Sequence, residues 1–300
     1  MINIKIAPVC GLCAGCHYAI NLAKDTAKKE NTIIFKEIVH NKNINNQLKS
    51  LGITFAENLK DLNMSSSVII RAHGEPPETY EYLKANKINY YDGTCKNVKS
   101  IHNEVLNHSE HQKIIIIGKY GKHSGVVHPE IFGTVGYSKN NPILIEDIED
   151  VDKLKSIKNQ NLFAICQTTF NPILFDDIKN KILDICKENN NQIEIKNTIC
   201  GAQIAIQKSS LILANDCDLM IIVGGKNSSN TIELYKNISN ICQAIHIEDI
   251  NGWLDELKSK NISLSNINNI GLTAGASTDK NELLNLKKLI ENYFETKKEG

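Results

Sequence analysis

Three cysteines lie three residues apart near the start of the chain, in the segment PVCGLCAGCHYAI. Cys10, Cys13 and Cys16 form a C-x-x-C-x-x-C pattern, which is typical of iron–sulfur and zinc sites because both take thiolate ligands. A ferredoxin-like local cluster would need a fourth cysteine, commonly followed by proline, and the sequence contains no Cys-Pro. A four-cysteine zinc site would need a second C-x-x-C pair, which is also missing. The alternative is that one of the three binds a metal together with distant cysteines.

An internal repeat of pattern favours that alternative. Cys13, Cys95 and Cys200 each precede a predicted helix. Each begins a unit in which two helices alternate with two strands, and each strand ends in a short polar segment, called a polar tip below. The free N–H groups at a helix N-terminus stabilise a thiolate and a negatively charged cluster. Three thiolates would leave one iron with an open coordination position, able to act as a Lewis acid on a substrate oxygen. Cys10 and Cys16 are then interpreted as small buried hydrophobic residues.

The elements that must position these cysteines are strands and helices in alternation. Short β-branched runs such as KIIIIG and LMIIVGG are separated by helix-length segments along the whole chain. This alternation predicts an α/β fold with mostly parallel sheets. The repeat predicts three α/β modules, residues 1–94, 95–199 and 200–300, around a pseudo-threefold axis. Because ligands bind beyond the carboxyl ends of parallel strands, the three cysteines and six polar tips would meet at one centre.

The composition excludes several classes of protein. The 34 Lys and Arg residues balance the 34 Asp and Glu residues, which argues against a duplex nucleic acid as the main partner. Arg71 is the only arginine, so a phosphate group would be held by Lys, His, hydroxyl, amide or backbone N–H groups. The apolar runs are far shorter than the ~20 residues of a membrane span, and the first residues form a strand rather than a signal peptide. Nine cysteines with no disulfide framework indicate a cytoplasmic protein.

Nine short segments carry a resemblance to a known family, and they occur in family order along essentially the whole chain. They are GLCAG at 11–15, EIVHN at 37–41, RAHG at 71–74, DGTC at 92–95, HPEIFGTVG at 128–136, QTT at 167–169, NTIC at 197–200, KNSSN at 226–230 and GLTAGAS at 271–277. With these segments the chain resembles the IspH/LytB family, the 4-hydroxy-3-methylbut-2-enyl diphosphate reductases of the non-mevalonate isoprenoid pathway.

The resemblance implies a trefoil of the three α/β modules and an iron–sulfur oxidoreductase activity. It also implies one [4Fe–4S] cluster per chain, ligated by Cys13, Cys95 and Cys200 at the centre of the trefoil. It implies reductive loss of an allylic hydroxyl, giving isopentenyl and dimethylallyl diphosphate. The substrate hydroxyl would bind the open iron. Glu130 would donate protons, and Thr168 would hydrogen-bond the hydroxyl and help relay them. Ferredoxin or flavodoxin would supply the electrons.

The resemblance also implies which residues hold the diphosphate. These are three histidines at strand tips together with hydroxyl and amide side chains: His40, His73, His128, Thr168, Thr169, Ser228, Ser229, Asn230 and Ser277. The loop GKYGKHSGVVHPE is longer than usual for the family, which leaves His123 as an alternative to His128. Gln203 stands where the family usually has threonine, beside the predicted cluster.

Two other functions remain open at the level of sequence. A family paralogue could act on another phosphorylated hydroxy compound at the same iron, and the retained KNSSN segment and histidines favour a phosphorylated substrate. A non-catalytic iron–sulfur redox protein would need neither Glu130 nor a diphosphate site, so the presence of both argues against it.

Overall fold

The structure is a computed structural model that describes residues 2–39, 41–226 and 228–299. Within these ranges strands and helices alternate along the chain. The strands are β1 Asn3–Ile6, β2 Thr32–Phe35, β3 Thr54–Ala56, β4 Ser67–Ile70, β5 Tyr90–Asp92, β6 Lys113–Ile117, β7 Ile143–Ile145, β8 Asn161–Cys166, β9 Gln192–Lys196, β10 Leu219–Val223, β11 Gln243–Ile247 and β12 Asn269–Ala274. The helices are α1 Ala14–Ala27, α2 Lys42–Ser50, α3 Pro77–Ala85, α4 Lys96–His108, α5 Pro129–Gly136, α6 Pro172–Glu188, α7 Gly201–Ala214, α8 Ser229–Ser239, α9 Trp253–Ser259 and α10 Lys280–Glu299.

The strands form three four-stranded sheets in which every pairing is parallel. Sheet 1 has the order β3-β2-β4-β5, sheet 2 has the order β7-β6-β8-β9, and sheet 3 has the order β1-β12-β10-β11. The α/β class with parallel sheets, expected from the sequence, is thereby confirmed. Strand β1 at the N-terminus pairs with β12 near the C-terminus. The module boundaries 1–94, 95–199 and 200–300 and their arrangement as a trefoil stay predictions.

The central strands are held by burial of their β-branched side chains. Residues 114–117 of β6 are at most 1% exposed, and every residue of β10 has no exposed surface. A strand that is apolar on both faces is typical of a parallel sheet covered by helices on both sides. In sheet 2, one face of β6 packs with α6 through Phe175 and Ile178, and the other packs with α4 through Ile101 and Val105.

The topology brings the polar tips together in pairs. The two central strands of each sheet are β2 and β4, β6 and β8, and β10 and β12. Each of the six is followed by one of the polar segments identified in the sequence. Because neighbouring parallel strands end at the same edge, sheets 2 and 3 each present the described parts of two polar segments side by side.

The chain divides into two compact units. The first unit comprises the described residues of Met1–His17, Val39–Gly52 and Gly201–Gly300, and the second comprises Tyr18–Ile38 and Ile53–Cys200. Sheet 3 belongs to the first unit, and sheets 1 and 2 belong to the second. No helix in the described ranges is long and apolar enough to cross a bilayer.

Candidate functional site

Glu130 lies in the first turn of α5, in the second unit, and is only 2% exposed. The helix begins at Pro129, whose fixed φ and missing N–H suit a first turn. His128 caps this helix, because its Nδ1 accepts the backbone N–H of Glu130 at 3.2 Å. A neutral imidazole that accepts at Nδ1 carries its proton on Nε2. In a neutral His128 the proton is therefore on Nε2.

Thr168 donates hydrogen bonds to both oxygens of the Glu130 carboxyl group. The backbone N–H of Thr168 donates to Oε1 at 2.7 Å, and its hydroxyl donates to Oε2 at 2.7 Å. Burial raises the pKa of Glu130 to about 7, although the two hydrogen bonds from Thr168 oppose the rise. A carboxyl group with a pKa near neutrality can hold a proton at physiological pH and still release it. Glu130 therefore has the properties of a general acid.

The same threonine connects Glu130 to a predicted metal ligand. The carbonyl of Thr168 accepts the backbone N–H of Cys200 at 2.7 Å. The Cys200 sulfur in turn accepts a hydrogen bond from Nδ2 of Asn97 at 3.2 Å. Asn97 is the second residue of α4, whose N-cap is Cys95. The segments that carry two of the three predicted cysteine ligands thus meet beside the buried acid.

His73 lies in the turn after β4, and its ring packs edge-on against that of His128, with centroids 5.5 Å apart. A buried ion-pair cluster lies in the same turn. Glu75 has no exposed surface and contacts Arg71 at 2.7 Å and Lys36 at 3.0 Å. The only arginine of the chain therefore stabilises the turn that carries His73. Removing one partner would leave an uncompensated buried charge, which typically costs about 3–5 kcal/mol.

The long loop before α5 is anchored at Glu146 and Asp147. The backbone N–H groups of Gly121 and Lys122 both donate to Glu146 at 2.9 Å. The Nε2 atom of His123 lies 2.7 Å from the Asp147 carboxylate. Because His123 is engaged at this anchor, the geometry favours His128 as the partner of His73.

Thr169 is held by Gln167, which is 2% exposed. The Gln167 amide donates to the Thr169 hydroxyl at 2.8 Å and accepts the backbone N–H of Lys119 at 2.9 Å. These contacts fix the QTT segment, residues 167–169, against the loop that follows β6.

In the first unit, Cys13 is positioned by the segment that follows β12. The N–H of Cys13 donates to the carbonyl of Ala276 at 3.0 Å, and that of Leu12 donates to the carbonyl of Thr278 at 2.8 Å. Gly11 has φ +80°, and a Cβ there would lie 2.8 Å from the Thr278 oxygen, so no other residue fits without strain. The loop must therefore pass close to this segment.

The Cys13 sulfur lies among hydrogen-bond donors at the start of α1. A hydrogen bond from the Cys16 side chain lowers the pKa of Cys13 to about 6, helped by backbone N–H groups and opposed by burial. The N–H of Cys16 lies 3.5 Å from the sulfur. Cys16 thus contacts Cys13 directly, whereas the sequence indicated only a space-filling role.

Of the predicted diphosphate-binding residues of the first unit, Ser228 and Asn230 lie at the N-terminus of α8, and Ser277 follows β12. Ser228 caps this helix, with Oγ 3.5 Å from the N–H of Thr231. Asn230 Oδ1 and Ser277 Oγ are buried and have no hydrogen-bond partner within the described part of the chain. A Cβ at Gly275 would lie 2.2 Å from the Thr231 hydroxyl, so glycine allows α8 to approach the segment that carries Ser277.

The unpartnered polar atoms fit a ligand. A buried polar group without a partner costs about 1–3 kcal/mol, which a ligand would recover by bonding to it. A phosphate oxygen accepts hydrogen bonds from a hydroxyl, and an asparagine amide can turn to present its N–H₂ group. The N–H groups at the start of a helix also favour an anion. Ser277, Asn230 and the start of α8 therefore form a candidate anion site.

Two predicted residues cannot be placed. His40 and the side chain of Ser229 lie outside the described residues. Asn41, which follows His40, caps α2 through Oδ1 at 3.1 Å from the N–H of Ile44 and donates to Thr278 at 3.4 Å.

No group of three or more His, Cys, Asp or Glu side chains that could hold a metal ion occurs within residues 2–39, 41–226 and 228–299. Cys13 belongs to the first unit, and Cys95 and Cys200 belong to the second, so the three-cysteine centre stays a prediction. Three cysteine thiols that each precede a helix, with N–H donors near Cys13 and Cys200, suit the chemistry of an iron–sulfur cluster.

Sequence reasoning missed Asn97 and Gln167. Both are amides within two residues of a predicted site residue, and that proximity was the available signal. Neither has a spacing pattern of its own, so only the folded contacts reveal what each one binds.

Comparison with known proteins decides the family. The sequence model of the LytB protein matches residues 4–291. The chain belongs to the LytB family. This confirms the resemblance inferred from the nine segments.

Named relatives of this LytB-family chain share one description. A protein of Clostridioides difficile named 4-hydroxy-3-methylbut-2-enyl diphosphate reductase is 34% identical over 92% of this chain and 94% of its own length. A protein of Aquifex aeolicus with the same name is 33% identical over 93% of this chain and 92% of its own.

Solved structures agree with the sequence matches. A structure described as (E)-4-hydroxy-3-methyl-but-2-enyl diphosphate reductase, the terminal enzyme of the non-mevalonate pathway, aligns with a TM-score of 0.71 at 30% identity, covering 97% of this chain and 100% of its own. The Plasmodium falciparum reductase aligns with a TM-score of 0.82 at 28% identity, covering 97% and 87%.

Proposed function

We propose that this LytB-family chain is a 4-hydroxy-3-methylbut-2-enyl diphosphate reductase. The reaction breaks the allylic C–O bond, takes up two electrons and two protons, and releases water. One proton goes to the departing hydroxyl and the other to an allylic carbon, so the products are isopentenyl and dimethylallyl diphosphate. The observation that carries the proposal is the connection of Glu130 through Thr168 to Cys200.

Glu130 supplies protons in this proposal. Its carboxyl group is shielded from water and has a pKa raised to about 7, so about half of the molecules carry the proton at neutral pH. The Thr168 hydroxyl is hydrogen-bonded to Oε2 of Glu130. It can therefore relay a proton between Glu130 and a substrate oxygen. Proton transfer by a positioned side chain typically contributes about 10²–10⁴-fold to the rate.

The diphosphate is bound, in this proposal, by histidine, hydroxyl and amide side chains. In the second unit His73, His128 and Thr169 contribute, and the rings of His73 and His128 pack against each other. In the first unit Ser228, Asn230 and Ser277 contribute, and the unpartnered atoms of the last two support this role. His40 and Ser229 complete the predicted set. The chain has a single arginine, and it is paired with Glu75.

The cofactor of the proposed enzyme is one [4Fe–4S] cluster held by Cys13, Cys95 and Cys200. When bound, it supplies the electrons and a Lewis-acidic iron for the departing hydroxyl. A ferredoxin or flavodoxin is the proposed electron donor. The cytoplasmic location expected from the cysteines stays a prediction.

The test is anaerobic turnover of 4-hydroxy-3-methylbut-2-enyl diphosphate by cluster-reconstituted protein with a chemical one-electron reductant. Formation of both isoprenoid diphosphates supports the proposal. An intact [4Fe–4S] spectrum without product would contradict the substrate assignment and favour a paralogue that reduces another phosphorylated alcohol. Failure to bind a cluster would contradict the proposed cofactor.

A further inference from the structure

Asn97 makes a contact that neither the helix nor the core requires. Its side chain is half-buried in the first turn of α4, and Nδ2 lies 3.2 Å from the Cys200 sulfur, 103 residues away in sequence. A helix N-terminus gains stability from acidic side chains in its first turn, which Asn97 does not provide. The amide is instead directed at a sulfur atom.

The charged groups next to Asn97 are otherwise engaged or exposed. Lys99 pairs with Asp92 at 2.8 Å, and Lys96 is exposed. Cys200 is itself fixed by its backbone bond to Thr168. The relative position of the amide and the sulfur is thus set by both segments, and the donor at the sulfur is a neutral amide rather than a lysine.

We propose that Asn97 is a positioning residue that tunes the reduction potential of the cluster by donating an N–H···S hydrogen bond to Cys200. The inference rests on the proposed function, because it requires Cys200 to be a cluster ligand. A donor to a ligating sulfur stabilises the more negatively charged, reduced state and so raises the reduction potential. Asn97 thereby makes it easier for the cluster to accept an electron from its donor.

The experiment compares reconstituted holoproteins in an anaerobic redox titration followed by electron paramagnetic resonance. Asn97→Leu preserves side-chain size but removes the donor, and Asn97→Asp also adds a negative charge. Asn103→Leu changes an exposed asparagine of the same helix and is the matched control. Iron and acid-labile sulfide are measured in each sample.

The expected result is a midpoint potential shifted to more negative values in Asn97→Leu, shifted further in Asn97→Asp, and unchanged in Asn103→Leu. An unshifted potential in Asn97→Leu at full cluster content would overturn the role of Asn97 and leave the proposed function intact. Cluster loss in both Asn97 variants would show a purely structural role and overturn tuning. A wild-type protein without any cluster would overturn the proposed function and this inference together.

Discussion

The polar groups around Glu130 in the second unit and those around Ser277 in the first unit are both buried, but they differ in how they are satisfied. Both carboxyl oxygens of Glu130 accept hydrogen bonds from Thr168. The hydroxyl of Ser277 and the side-chain oxygen of Asn230 have no partner among the described residues. The Glu130 carboxyl group thus has hydrogen-bond partners within the protein. Within the described residues, the Ser277 hydroxyl and the Asn230 side-chain oxygen can still accept a bond from a ligand or, for the hydroxyl, donate one.

This difference corresponds to two functions, proton donation and substrate binding. A proton donor must have a defined geometry and pKa before substrate arrives, and the bonds from Thr168 provide both. A binding site gains more if its polar groups have no internal partner, because a ligand then replaces nothing. We therefore expect changes near Glu130 to alter the rate of chemistry and changes near Ser277 to alter the affinity for substrate.

The largest effect is expected for Glu130→Gln. Glutamine cannot supply the proton, so kcat should fall by about 10²–10⁴-fold while the cluster spectrum is unchanged. Anaerobic steady-state kinetics measure the loss. Glu81→Gln, an exposed change on α3, is the control and should behave like wild type. Near-normal turnover by Glu130→Gln would exclude this residue as the proton donor.

A smaller loss is expected for Thr168→Val, which removes the hydroxyl bonded to Oε2. Losing a hydrogen bond to a carboxyl group costs about 1.5–3 kcal/mol, equivalent to about 10–200-fold in rate. The free energy of unfolding should fall as well, because one Glu130 oxygen is left unsatisfied. Chemical denaturation of the variant and of the exposed control Thr54→Val provides the comparison. An unchanged stability would contradict the picture of a fully satisfied acid.

The pH dependence should report the raised pKa of Glu130. A proton donor acts in its protonated form, and the fraction protonated falls as pH rises through a pKa of about 7. The single-turnover rate should therefore fall by about tenfold between pH 6 and pH 8. A rate that rises over this range would show that Glu130 acts in its ionised form.

The smallest effect is expected for Ser277→Ala. Loss of one neutral hydrogen bond to the diphosphate should weaken binding by about 1 kcal/mol, or about fivefold in Kd. Stability of the free protein should not fall, because the hydroxyl has no hydrogen-bond partner among the described residues. Calorimetric titration with the substrate, under anaerobic conditions, tests the first statement and chemical denaturation the second. Ser239→Ala, on the exposed side of α8, is the control.

The α/β class could be predicted because burial on both faces gives long β-branched runs such as those of β6 and β10. Strand β3, Thr54–Ala56 at the edge of sheet 1, lacks such a run of β-branched residues and is not evident from the sequence. The candidate site was predicted as a set of residue types at strand tips. Its contacts were not predictable, since the Asn97–Cys200 bond joins segments 103 residues apart. The pKa of Glu130 likewise depends on burial that only the folded chain creates.

The most direct test of the division of work is to measure substrate Kd and single-turnover rate, side by side, for Glu130→Gln and Ser277→Ala. We predict that Glu130→Gln lowers the rate and leaves Kd within about twofold of wild type, and that Ser277→Ala raises Kd and leaves the rate at saturating substrate unchanged. If both variants changed the same quantity, or if each changed the quantity assigned to the other, the account of two separate regions would be contradicted.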